Sequence, residues 1–176
     1  ASTTGGADAA DITTDGMTIG SNAAAAKLDT IDLDASHGGD ITLGAFTATG
    51  ASLTSITADS ATTGSVITVG AVIASAITNI TTSAVSGGSI QLSGVITASN
   101  VGTIKHTGAG NFQMDGANAI TTLERLDLTG ATGTNTVNLS AGTNAATINL
   151  GTGTNTITLT GGVADDVNLS TSAATD

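Results

Sequence analysis

The sequence predicts an all-β chain wound as a parallel β-solenoid (a β-helix or β-roll), with two short strands per coil of about 22–25 residues and a cross-section narrowing toward the C-terminus. Three observations predict it. First, apolar-polar-apolar triplets recur between Gly-Thr-Asn turns: Val137-Asn138-Leu139, Ile148-Asn149-Leu150, Ile157-Thr158-Leu159 and Val167-Asn168-Leu169. Their first residues lie 11, 9 and 10 apart, too close for a hairpin per repeat but right for one strand and one tight turn. Second, an apolar-x-x-apolar start returns at Leu28/Ile31, Leu53/Ile56, Ile77/Ile80, Val101/Ile104 and Leu123/Leu126, at spacings of 25, 24, 24 and 22 residues. Third, the 176 residues hold no Trp, Tyr, Pro or Cys and two Phe, while Thr makes up about a fifth. Such small, branched side chains favour strands and fill a narrow stack better than a wide sphere.

Taken in order, residues 1–27 read as a degraded N-terminal rung, with Ile12 and Met17-Thr18-Ile19 around an Asp15-Gly16 turn, followed by a short helical cap at Ser21 to Lys27. Residues 28–176 read as the solenoid. Each start is followed by a glycine-containing turn and a second strand, at Ile41-Thr42-Leu43, Ile67-Thr68-Val69, Ile90-Gln91-Leu92, Phe112-Gln113-Met114 and Val137-Asn138-Leu139. Strand alternation turns Ile31, Leu33, Ile41 and Leu43 inward and Asp32, Asp34 and Thr42 outward. Stacking then aligns Thr42, Thr68, Gln91, Gln113, Asn138 and Thr158 as a polar ladder. Beyond Leu139 about ten residues make each strand and turn, which narrows the coil.

Fourteen acidic residues against three basic ones give a net charge of −11, so nothing here neutralises phosphates and nucleic acid is not an expected partner. No stretch reaches the roughly 20 apolar residues of a membrane-spanning helix. No charged, apolar leader opens the chain, so export is expected to use a removed or different signal, and the repeat-like ends read as a piece of something longer.

Two turns carry a resemblance. Gly130-Ala131-Thr132-Gly133-Thr134-Asn135-Thr136-Val137 and Gly151-Thr152-Gly153-Thr154-Asn155-Thr156-Ile157 resemble degenerate RTX nonapeptides, G-G-x-G-x-D-x-U-x. The Thr/Ala/Gly/Asn-rich, cysteine-free composition is similar to RTX-related bacterial surface-layer proteins. The motif covers about residues 129–169. The resemblance implies a β-roll whose turns bind calcium, and a place at the bacterial cell surface. Asn135 and Asn155 stand where that family has its liganding Asp, and a neutral oxygen holds calcium more weakly. Asp165, beside Asp166, keeps the carboxylate at the matching place. The alternative for the two Asn is left-handed turn geometry with stacked amides.

Other carboxylates group along the chain: Asp8, Asp11 and Asp15 near glycines, and Asp32, Asp34 and Asp40 around the turn from Ala35 to Gly39. Either set offers calcium oxygen ligands, although neither has EF-hand spacing, and a solvated acidic face that keeps the protein soluble is the favoured reading for most of them. In register, Asp32 shares a column with Thr57, Thr81, Lys105 and Asp127, and Asp34 aligns with Asp59. Catalytic equipment is sparse: one Glu (Glu124), two His (His37, His106) and three bases (Lys27, Lys105, Arg125). Both histidines are expected at the surface, and Glu124 with Arg125 as a local surface pair. No serine carries the glycine elbow of a hydrolase.

The expectation is therefore a non-enzymatic, secreted, structural protein that self-assembles into a surface layer or extracellular filament, assisted by calcium. The other class is a binding module, an adhesin or an ice- or glycan-binding solenoid, using Thr154, Thr156, Thr158 and Thr160 and their like.

Overall fold

The computed structural model describes residues 12–14, 17–19, 29–48, 53–116, 118–139, 146–159 and 166–169. All its regular structure is β, and every strand pairing is parallel. In chain order the strands are β1 (Ile12–Thr14), β2 (Met17–Ile19), β3 (Thr30–Asp34), β4 (Ile41–Leu43), β5 (Phe46–Ala48), β6 (Ser55–Ser60), β7 (Val66–Val69), β8 (Val72–Ala74) and β9 (Asn79–Ala84). They continue as β10 (Ser89–Leu92), β11 (Ile96–Gly108), β12 (Asn111–Met114), β13 (Ala119–Ala131), β14 (Thr134–Leu139), β15 (Thr147–Leu150), β16 (Thr154–Leu159) and β17 (Asp166–Leu169).

The strands stack in three columns. The first runs β3, β6, β9, then the second halves of β11 and β13, then β15 and β17. The second runs β1, β4, β7, β10, β12, β14, β16. The third runs β2, β5, β8, then the first halves of β11 and β13. The chain is thus a parallel β-solenoid, and the apolar starts do align: Ile31, Ile56, Ile80, Ile104, Leu126 and Ile148 pair rung to rung. Each is buried, as are Leu53, Ile77, Val101 and Leu123 before four of them. Burying one such side chain contributes about 1.5–3 kcal/mol, and neighbouring rungs supply the cover a single coil lacks.

The third column is an addition to the two strands per coil read from sequence. It comes from the repeat Gly44-Ala45-Phe46-Thr47-Ala48, Gly70-Ala71-Val72-Ile73-Ala74, Gly94-Val95-Ile96-Thr97-Ala98, in which Phe46, Val72 and Ile96 stack in register and point inward. At one corner Gly38, Gly64 and Gly87 take φ of 88°, 87° and 81°, a left-handed bend that side chains disfavour.

Coil length falls toward the C-terminus. In the second column 29 residues separate Ile12 from Ile41, 26 separate Ile41 from Ile67, and 20 separate Asn135 from Asn155. In the first column Ile148 and Val167 lie 19 apart. Toward the C-terminus the triplets alternate between columns: Val137 pairs with Ile157, and Ile148 with Val167, so each ten-residue unit is half a coil.

One register differs from expectation. Phe112 pairs with Asn135 and Met114 with Val137, a slip of two residues against an alignment of Phe112 with Val137. A slip of two keeps inward side chains inward. The outer ladder therefore runs Thr42, Thr68, Gln91, Gln113, Thr136, Thr156, with Asn138 and Thr158 forming a separate row. The proposed helix at 21–27 lies outside the described residues.

Candidate functional site

The outer surface divides by column, and the first carries most of the described charge. Its outward rows are Asp32, Thr57, Thr81, Lys105, Asp127 and Asp34, Asp59, Ser83, Thr107, as the repeat spacing predicts. Asp34 is partly buried and its Oδ1 has no hydrogen-bond partner, while Asp59 accepts the Ser83 hydroxyl at 2.5 Å. Asp32 and Asp40 are exposed, and Asp40 Oδ1 accepts the Val66 amide at 2.7 Å, tying one rung to the next. Among the described residues no three His, Asp or Glu side chains gather within metal-binding reach. Asp8, Asp11, Asp15 and Asp165 lie outside the described residues, as does the side chain of Asp166, whose backbone pairs with Thr147.

Asp127 is held more closely than its neighbours. Its Oδ1 accepts the Thr129 amide at 3.1 Å and hydroxyl at 2.7 Å, and Oδ2 accepts Arg125 Nη2 at 2.9 Å. Burial works against its charge, but the Thr129 hydrogen bonds, Arg125 and Lys105 outweigh it and hold the carboxyl below the usual range. Arg125 thus pairs with Asp127 instead of the expected Glu124, because residues two apart on a strand share a side and consecutive ones do not.

Asn135 and Asn155 are placed differently from a turn site. Both lie within strands, β14 and β16, and no residue other than glycine takes a positive φ among the described residues. Asn135 is fully buried in the inward row of Ile41, Ile67, Ile90 and Phe112. Its Nδ2 donates to Asn155 Oδ1 at 2.9 Å and to the Gly133 carbonyl at 3.3 Å. Asn155 Nδ2 donates to the carbonyls of Gly151 at 3.1 Å and Gly153 at 2.8 Å. The amide stack is therefore real, but its left-handed turn geometry is not. These residues do not fit a calcium site, because amide N–H groups already occupy the turn carbonyls that an ion would need.

The second column presents a different surface. Its strands β4, β7, β10, β12, β14 and β16 turn Thr, Gln, Asn and Ser outward and hold no charged residue. Gln91 and Gln113 interrupt the threonine row.

His106 corrects the expectation of two surface histidines. His37 is exposed, with Nδ1 at 2.9 Å from the Ser36 hydroxyl, but His106 is fully buried. Ile104 faces inward, so strand alternation turns Lys105 out and His106 in. The imidazole stacks on Phe112 with centroids 4.9 Å apart and planes 14° apart. Its Nδ1 lies 2.8 Å from Thr82 Oγ1, and its Nε2 has no partner. Burial pushes the imidazole down to about 4, against a smaller upward pull from the Gly110 backbone. The period-two pattern of Ile104-Lys105-His106 carried this signal.

Comparison of the chain with protein-family models, with curated proteins and with solved structures finds no match.

Proposed function

We propose that the chain is a structural, non-enzymatic protein that associates with copies of itself outside the cell, as part of a bacterial surface layer or an extracellular filament. The observation that carries this reading is the periodic exterior: in-register rungs repeat a row of Thr and Gln on one side, while the first column carries scattered carboxylates at Asp32, Asp34 and Asp59. Such a surface offers the same contact many times over, which suits a lattice better than a single ligand. Calcium enters as a bridge between exposed carboxylates, Asp32 and Asp40 among them, offsetting a net charge of −11 that otherwise keeps copies apart.

Light scattering and negative-stain microscopy during a calcium titration, followed by chelator, test it. Sheets or fibres that form with calcium and dissolve on chelation are expected. Assembly indifferent to calcium would keep the structural role and remove the ion. A protein that stays monomeric at every calcium and protein concentration would end the reading.

A second reading rests on the uncharged face, where Thr42 and Thr68 line up, as do Thr136 and Thr156. It is a binding module for a cell-surface glycan or for ice. Thermal hysteresis or retention on a polysaccharide column, in protein that does not assemble, would favour it.

A further inference from the structure

His106 is a buried titratable group for which the structural role has no use. It occupies an inward row with Thr82 beside it and Ala58 and Leu33 in the rungs before. In the neutral form its needs are modest: Nδ1 shares a proton with Thr82, whose hydroxyl also reaches the Lys105 carbonyl at 3.3 Å. The imidazolium is another matter, because both ring nitrogens are then donors and Nε2 makes no hydrogen bond in the closed rung.

The Gly110 backbone favours a positive charge on the ring, but burial outweighs it, and no acidic side chain faces the ring to add to it. Strands β9, β10 and β12 carry no titratable side chain. Those of β11 and β13, namely Lys105, Glu124, Arg125 and Asp127, lie on the outer side of the sheet, with Asp127 already bonded to Arg125 and Thr129. A charged His106 therefore has one escape, which is toward water. The route is short, since the corner at Ala109 and Gly110 separates it from its stacking partner Phe112, and Ala109 is exposed.

We propose that His106 is an acid-operated latch: protonation expels its ring from the core and opens the rung formed by residues 104–112, while the wide coils before it stay closed. The sign follows from linkage. A buried imidazole that resists charging binds fewer protons in the closed rung than in the open one, so closure is complete above the ordinary histidine range. It weakens about tenfold for each pH unit below that range, down to about 4, roughly 300-fold in all.

Amide hydrogen exchange, corrected for the intrinsic pH effect and followed by NMR from pH 7.5 to 4.5 alongside the His106 ring signal, tests this. Loss of protection confined to residues 104–112 and their partners on β9 and β13, in step with the ring titration, is expected. His106→Leu, of similar volume and uncharged, should abolish the pH response of that rung. Protection lost uniformly along the stack, a ring that titrates with no local opening, or a His106→Leu protein that responds like the parent would each overturn it. If His106→Leu fails to fold, the parent protein's ring and amide signals still decide.

Discussion

The coils spanning residues 30–116 and those spanning residues 118–159 solve one packing problem in two ways. In the wide coils three inward columns fill the centre with Ile, Leu, Val and two Phe, and Ile56, Ile67, Val72, Ile80 and Ile90 are all fully buried. In the narrow coils the row that held Ile90 and Phe112 is taken over by Asn135 and Asn155, whose amides bond each other and the glycine carbonyls. A shorter coil brings backbone carbonyls into the space that side chains filled, and those carbonyls require donors. The difference teaches that coil length decides what the core is made of: apolar volume where the coil is wide, amides whose N–H groups bond glycine carbonyls and each other where it is tight, with Asn135 Oδ1 left unpartnered.

The most disruptive way to break this comparison is Phe112→Ala, at the junction of the two regions. It removes a fully buried ring together with its stack on His106, and a loss of about 3–5 kcal/mol is expected. Urea unfolding, with amide exchange to show which rungs fail, would measure it, and a loss below about 1 kcal/mol would show that the junction is not packed as described.

A sharper test is Asn135→Ala, which leaves the Gly133 carbonyl and Asn155 Oδ1 without their donor. A cost of about 1–3 kcal/mol is expected, with exchange rising in β14 and β16 before β4 or β7. Asn155→Ala should cost less, because Asn155 is only partly buried. Equal costs would mean that the amides act as mere volume. The smallest effect belongs to Asp127→Asn: Asp127 is nearly covered, but the amide keeps its shape and the oxygen that Thr129 bonds, and the partner Arg125 is 49 % exposed, so a cost under about 1 kcal/mol is expected. What Asp127 contributes is present above the ordinary carboxylate range and is lost as pH falls through its lowered value, so an acid titration of parent and variant should converge at low pH.

The first and second columns were legible because aliphatic pairs recur with little variation in spacing, and each pair must be buried by its neighbours. The third column was hidden because its large inward apolar residue is single in each repeat and its neighbours vary, Ala45 and Thr47 around Phe46, Ala71 and Ile73 around Val72, Val95 and Thr97 around Ile96, leaving Gly-x-apolar-x-Ala as a weak signal beside two strong ones. The two-residue slip at Phe112 could not be read from apolar positions, because an inward Asn looks like a turn residue in sequence. His106 was misjudged for the opposite reason: the alternation was plain, but an ionisable residue is ordinarily given to solvent. Of the predicted calcium residues, the acidic exterior at Asp32 and Asp40 is where the sequence placed it, whereas Asn135 and Asn155 point into the core.

The falling coil length has a mechanical consequence. Under tension along the stack the molecule is not a uniform rod, because resistance to peeling scales with the apolar area each rung shares with the next. The wide rungs share three inward apolar rows, with Ile56, Ile67 and Val72 each fully buried, whereas in the narrow coils Asn135 and Asn155 stand in place of one of them. Pulled from the narrow end, the chain should therefore yield rung by rung against rising force, a graded strap whose early extension is easy and whose final coils hold.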